Sequence, residues 1–128
     1  MIPERVPLVM VPRYSSLAGS IGGSDGFTSV PLDVTEYSLA SLTVWRGVVI
    51  GTAPPPMTDA FEIVFEGSTD RVVWTTCAGS PGSGPAENVQ VTYGIGLTRR
   101  WFRVRIKLAQ PDNVVTCWVA GFLEKRLQ

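Results

Sequence analysis

The chain has 128 residues, of which 45% are hydrophobic and 17% charged, and its formal net charge is zero. This length fits one domain that can bury a core without disulfides or metals. The lack of a basic excess disfavours binding to nucleic acid or to anionic membranes, whereas a weakly charged surface favours association with proteins. Pro3, Pro7 and Pro12 interrupt the first residues, which lack the pattern of a secretory signal. We therefore expect synthesis and retention in a cytoplasm.

Residues 1–31 differ in composition from residues 32–128. The first stretch is rich in proline, glycine and serine, and its prolines favour an extended path. We predict an extended arm with a flexible loop over residues 1–31 and a folded domain over residues 32–128. The arm's apolar side chains are costly to leave in water, so we expect it to contact either its own domain or a neighbouring subunit. These side chains include Val6, Leu8, Val9 and Met10.

From residue 32 onward, strand-like segments alternate with turns rich in proline and glycine. The last segment is apolar on both faces, which predicts a central or covered strand. Strands without any helical period predict an all-β fold: an antiparallel β-sandwich, jelly-roll-like, with an extended N-terminal arm. The predicted strands are 37–50 (bent or divided near Gly47), 61–66, 72–77, 88–93, 100–108 and 114–123.

Few residues of the chain are suited to catalysis. There is no histidine, which removes the commonest general base and metal ligand. Cys77 and Cys117 lie in predicted strands, where we expect two free, buried thiols, or a disulfide if those strands are neighbours. Glu62 and Glu66 would lie ~13 Å apart on one strand, too far for a glycosidase pair. We predict no catalytic residue, no metal, no cofactor and no enzyme activity.

The strand over residues 100–108 carries the one candidate binding feature. Trp101, Arg103 and Arg105 share a face, where they could stack on a sugar, a base or an aromatic ring of another protein. Tryptophan and arginine are also enriched in protein-interface hot spots. The structural alternative is an ordinary solvated face. On it the basic row, which consists of Arg103, Arg105 and Lys107, pairs with Glu62 and Glu66 across strands.

Residues 61–126 resemble a discoidin-type (F5/8 type C) jelly-roll sandwich. In that family a strand ends in a Gly-Ser-Asn/Asp turn, and the next strand begins with tryptophan. The matching residues here are Glu66, Gly67, Ser68, Asp70 and Trp74. Residues 99–108 and 115–126 are similar to later strands of that family. The resemblance implies a module that binds carbohydrate or lipid headgroups. If the chain is a carbohydrate-binding module, we expect Trp45, Trp101 or Trp118 as stacking platforms.

The whole chain, a small β protein without histidine and with an extended N-terminal arm, resembles in style the decoration (cement) proteins of tailed-phage capsids. This resemblance implies a virion protein that staples neighbouring capsid subunits. We expect a homo-oligomer, with a trimer favoured, and a major capsid protein or other virion protein as partner. We expect neither nucleic acid nor membrane as a partner. The expected interface residues are Val6, Leu8, Val9, Met10, Trp101, Arg103 and Arg105.

Overall fold

The structure, a computed structural model, describes residues 4–22, 26–52 and 61–127. All regular secondary structure within them is β-strand. The strands are β1 (Arg5–Ala18), β2 (Phe27–Thr28), β3 (Leu32–Asp33), β4 (Tyr37–Arg46), β5 (Phe61–Ser68), β6 (Thr75–Thr76), β7 (Gln90–Gly96), β8 (Trp101–Leu108) and β9 (Val114–Lys125).

The strands form two antiparallel sheets. The first sheet has the order β1-β9-β4-β7; the second has the order β2-β8-β5-β6, with β3 also paired to β8. The first strand therefore pairs with the last, β2 and β3 with β8, β4 with β7, and β5 with β6. This nested pairing is the arrangement of a jelly roll. The predicted all-β antiparallel sandwich is confirmed.

The core lies between the two sheets. Alternate residues of β8 (Phe102, Val104 and Ile106) are buried, as its sequence alternation predicts. In the same sheet Phe65 stacks on Phe102, with ring centroids 6.0 Å apart, and it also meets Tyr93 of the opposite sheet at 6.5 Å. Burying a side chain of this size contributes roughly 1.5–3 kcal/mol, so these aromatic contacts hold the sheets together.

Residues 5–18 of the predicted arm form β1 at the edge of the first sheet. They pair antiparallel with β9 from Arg5 opposite Glu124 to Ala18 opposite Val114. We expected the arm to contact either its own domain or a neighbouring subunit, and the structure shows the contact with its own domain. β9 lies between β1 and β4, and the expected central position of this two-sided apolar strand is confirmed.

Two predicted segments differ from the observed strands. The predicted strand 72–77 is reduced to Thr75–Thr76, and Cys77 follows it. The reason lies in the preceding turn, where side chains bind the backbone N–H groups that a strand ladder would use. The segment over 37–50 ends as a strand at Arg46, before the expected bend at Gly47. The proline-rich turn expected between the segments 37–50 and 61–66 lies mostly outside the described residues, which omit 53–60.

Candidate protein-interaction surfaces

β1 divides its apolar side chains between the core and the outer surface. Val6 and Leu8 lie opposite Leu123 and Gly121 of β9, on the inward side, and Leu8 packs against the core. Met10 belongs to the core itself. Of the four arm residues expected at an interface, Val9 is the exposed one, with 61% of its surface accessible.

An irregular stretch in β1 carries two side chains over the outer face of the first sheet. The register with β9 shifts between Val11 and Ser15, and Tyr14 there has a φ of 59°. This bulge places the Arg13 guanidinium 4.7 Å from the ring centroid of Trp118. Tyr14 meets Trp45 edge-on, with centroids 5.7 Å apart. A left-handed backbone is uncommon for a tyrosine, and the aromatic contact helps to stabilise it there.

A shallow apolar depression lies beside this cluster. Its volume is about 400 Å³, and β1 and β9 supply most of its lining. Phe122 is 46% exposed, a high value for a large apolar ring in the middle of a sheet. We call this surface the apolar face. Its exposed apolar residues are Pro7, Val9 and Phe122, with Ala120 beside them, and Arg13, Thr43 and Gln90 also line the depression. An exposed apolar patch of contiguous residues is typical of protein-interaction sites.

The basic row on the second sheet is partly neutralised within the chain by Glu66. Glu66, only 8% exposed, lies opposite Arg103 and accepts a hydrogen bond of 3.0 Å from its Nε. The other carboxylate oxygen of Glu66 lies 3.5 Å from Arg105 Nε. Arg103 also lies over the Trp74 ring, 4.0 Å from its centroid. The structural alternative, pairing with the glutamates across strands, is confirmed for Glu66; Glu62 lies opposite Lys107 in the register.

The three expected stacking tryptophans do not form one site. Trp45 and Trp118 are register partners on the first sheet, whereas Trp101 lies on the second. Trp118 is buried beneath Arg13, and Trp45 contacts Tyr14. Trp101 lies within 4.5 Å of the Arg71 guanidinium and within 5.0 Å of that of Arg100. Each ring therefore already contacts a charged or aromatic side chain of its own chain.

The loop between β5 and β6 contains the expected turn at Gly67, Ser68 and Asp70, but sequence reasoning missed its extension through Val73. Ser68 Oγ accepts hydrogen bonds from the backbone N–H groups of Asp70 and Arg71 and donates one to Asp70 Oδ1. Asp70 Oδ1 in turn accepts the backbone N–H groups of Val72 at 2.9 Å and Val73 at 3.0 Å. The hydrogen bonds from Val73 and Val72 lower the pKa of Asp70.

This network fixes an exposed apolar pair. Val72 is 78% exposed and Val73 68% exposed, although the sequence there has strand propensity. Arg71 is held at a φ of 64°, and its guanidinium lies over Trp101. The sequence signal that could have predicted this extension is the Ser-x-Asp spacing at 68–70, because both side chains readily bind the backbone N–H groups of the residues that follow.

The two cysteines are free and buried. Burial raises the pKa of Cys77 to about 11 and that of Cys117 to about 12, so both thiols stay protonated at neutral pH. Within residues 4–22, 26–52 and 61–127, no three histidine, cysteine or acidic side chains gather as metal ligands would. No helix able to cross a membrane occurs in that same part of the chain.

Comparisons with protein-family models, with curated protein sequences and with solved structures gave no match for this chain.

Proposed function

We propose that this protein is a virion structural protein, a decoration protein that binds neighbouring capsid subunits through its apolar face. The observation that carries the proposal is the partly exposed ring of Phe122, which lines the same depression of the first sheet as the exposed Val9. Exposure of such a surface to water is unfavourable, so its burial against a protein would stabilise the complex. The proposed partner is a major capsid protein or another virion protein.

The chemistry of the exposed side chains supports binding more than catalysis. The chain has no histidine, and its two thiols are buried with raised pKa values. General acid–base catalysis near neutral pH needs a group that titrates there and reaches a substrate. Arg103 and Arg105 of the basic row are both engaged by Glu66, which reduces the charge that they offer to an anionic substrate.

The jelly roll itself is compatible with either of the resemblances. Jelly rolls build viral capsid proteins and also lectins, so the fold class alone carries no function. The engaged tryptophans favour a protein partner over a glycan, because a sugar would have to stack on rings that Arg13, Tyr14 and Arg71 already contact.

The test is sedimentation with capsid shells. The chain would be co-expressed with the major capsid protein encoded in the same genome, and the shells would be pelleted through a sucrose cushion. We expect the wild-type protein to pellet with the shells and Phe122→Asp to lose at least nine-tenths of that binding. Val48→Asp is the matched control, because Val48 is 54% exposed and lies outside the apolar face.

Two outcomes would refute the proposal. One is that the genome of origin encodes no capsid protein. The other is that shells assemble and the wild-type protein stays in the supernatant. A tryptophan-fluorescence titration against a glycan panel runs in parallel, and saturable binding to a sugar there, without shell binding, would establish the glycan alternative instead.

A further inference from the structure

Two arginine side chains lie against one tryptophan ring where β8 begins. The guanidinium of Arg71 lies 4.5 Å from the ring centroid of Trp101, and that of Arg100 lies 5.0 Å from it. The two positive charges are therefore no farther apart than the sum of these distances, and their potentials add around the ring. Both arginines are exposed to solvent. We call Arg71, Arg100 and Trp101 the arginine–tryptophan cluster.

Most hydrogen-bond donors of the two guanidiniums remain available to a ligand. Packing over an aromatic face is an electrostatic and van der Waals contact, which leaves the five N–H groups of a guanidinium for other partners. Arg100 donates one hydrogen bond of 3.1 Å, from Nε to Asp33 Oδ2. In the part of the chain that the structure describes, the Arg71 guanidinium takes part in no ion pair. The positive charge of Arg71 is thus left without a counter-charge in direct contact.

Asp70 precedes Arg71 in the chain, but its carboxylate binds the loop instead. Asp70 Oδ1 accepts the backbone N–H groups of Val72 and Val73, and Ser68 Oγ accepts that of Arg71 at 2.8 Å. These bonds hold Arg71 at a φ of 64°, a left-handed conformation that is uncommon for residues other than glycine. Strained backbone of this kind is concentrated at ligand-binding sites. Here it fixes the position from which the Arg71 side chain extends.

We propose that the arginine–tryptophan cluster binds an acidic segment of a partner protein, whose carboxylates accept hydrogen bonds from Arg71 and Arg100. Planar guanidiniums bind carboxylates through pairs of N–H groups, and contact with a ring restricts their motion beforehand, so less entropy is lost on binding. The exposed Val72 and Val73 follow Arg71 directly and offer an apolar contact to the same segment. The site is independent of the proposed function, because it lies on the second sheet and the apolar face lies on the first.

The charges around the cluster favour an acidic peptide over a nucleic acid. Binding to nucleic acid neutralises a series of phosphates, but the next two arginines along β8, Arg103 and Arg105, are engaged by Glu66. The chain as a whole has no net charge with which to attract a long polyanion. A short acidic segment needs only the two arginines of the cluster.

Titration of the full chain with synthetic peptides tests this site. The probe is a short acetylated peptide of glutamate, glycine and leucine, and its uncharged counterpart carries glutamine in place of each glutamate. In isothermal titration calorimetry at low salt, we expect the acidic peptide to bind at least tenfold more tightly than its counterpart, and to bind more weakly as salt is added. The double variant Arg71→Gln, Arg100→Gln should lose at least fivefold in affinity for the acidic peptide.

The matched control is the double variant Arg5→Gln, Lys125→Gln. It removes the same two positive charges from solvent-accessible side chains of the first sheet. Its affinity for the acidic peptide should stay within twofold of the wild-type value. Both double variants should keep the circular dichroism spectrum of the wild type, because none of the four side chains belongs to the core.

Three outcomes would overturn the proposal. The first is that the wild type does not bind the acidic peptide at low salt, and the second is an equal loss of affinity in the two double variants. The third is tighter binding of single-stranded poly(U) than of the acidic peptide, which would identify a nucleic-acid surface instead. Shell binding is measured apart from peptide binding, so this proposal and the proposed function fail separately.

Discussion

Glu66 is the position where a single change of charge should destabilise the fold most informatively. Its carboxylate is nearly buried. Arg103 Nε and Nη2 both lie 3.0 Å from Glu66 Oε1, and Arg105 Nε lies 3.5 Å from Glu66 Oε2. Glu66→Gln keeps the length and one acceptor oxygen but removes the negative charge. Two arginines whose side chains are 21% and 28% exposed would then lie together without a counter-charge.

The magnitude follows from these contacts. A hydrogen bond to a charged group contributes about 1.5–3 kcal/mol, and the longer Arg105 contact adds little. We expect Glu66→Gln to lower the free energy of unfolding by about 2 kcal/mol in urea titrations followed by tryptophan fluorescence. Glu62→Gln is the matched control on the same strand; Glu62 is exposed, so its change should stay within about 0.5 kcal/mol. Equal effects of the two variants would refute the reasoning.

Three further predictions concern packing, pH and thiols. A Cβ at Gly121 would press on the carbonyl group of Ser41, whose carbon would lie 2.9 Å away, so Gly121→Ala should lower unfolding free energy by about 3 kcal/mol in urea. The pKa of Asp70 is lowered in the folded state, so its stabilisation is present above the unfolded pKa of about 3.9 and lost as pH falls through the folded value. As the pH falls, the free energy of unfolding should therefore decrease less steeply in Asp70→Asn than in the wild type. Cys77 and Cys117 should resist a thiol reagent at pH 8 until the protein unfolds.

Each of these three has a control within the chain. Gly94, the register partner of Ser41 on β7, has open space around its Cβ position, so Gly94→Ala should be neutral or slightly stabilising. An equal loss in both glycine variants would contradict the packing argument. An acid limb of the same steepness in Asp70→Asn and wild type would contradict the pH argument. Rapid labelling of two thiols in the native protein would show that they are accessible after all.

The strands that the sequence predicts best are those with strict alternation. In β8, Phe102 and Val104 alternate with Arg103 and Arg105, so both the strand and its buried face follow from the period of two. The pairing of Glu66 with the basic row also follows, because opposite charges on neighbouring strands attract. These inferences need only local pattern and charge.

The exposed surfaces depend on register shifts and long-range contacts that a local sequence pattern does not predict. The register shifts in β1 bury Met10 beside Val11 and bring Tyr14 to the outer face, so a simple alternation assigns these residues wrongly. The strand propensity of Val72 and Val73 is overridden by two side chains that bind their backbone. To predict the apolar face, one would have to know that β1 and β9 are neighbours, although they come from distant parts of the chain.

The pairing of the first strand with the last has a consequence for synthesis. Arg5 and Glu124, which bond across β1 and β9, are separated by 119 positions in the chain. During translation β1 emerges from the ribosome long before its partner β9, and β4 also emerges well before β9, its neighbour in the sheet. The first sheet can therefore assemble only when nearly the whole domain has been made, and folding dominated by such distant pairings is slow. The nascent chain meanwhile exposes apolar strands, so rapid synthesis at high copy number would make it dependent on chaperones.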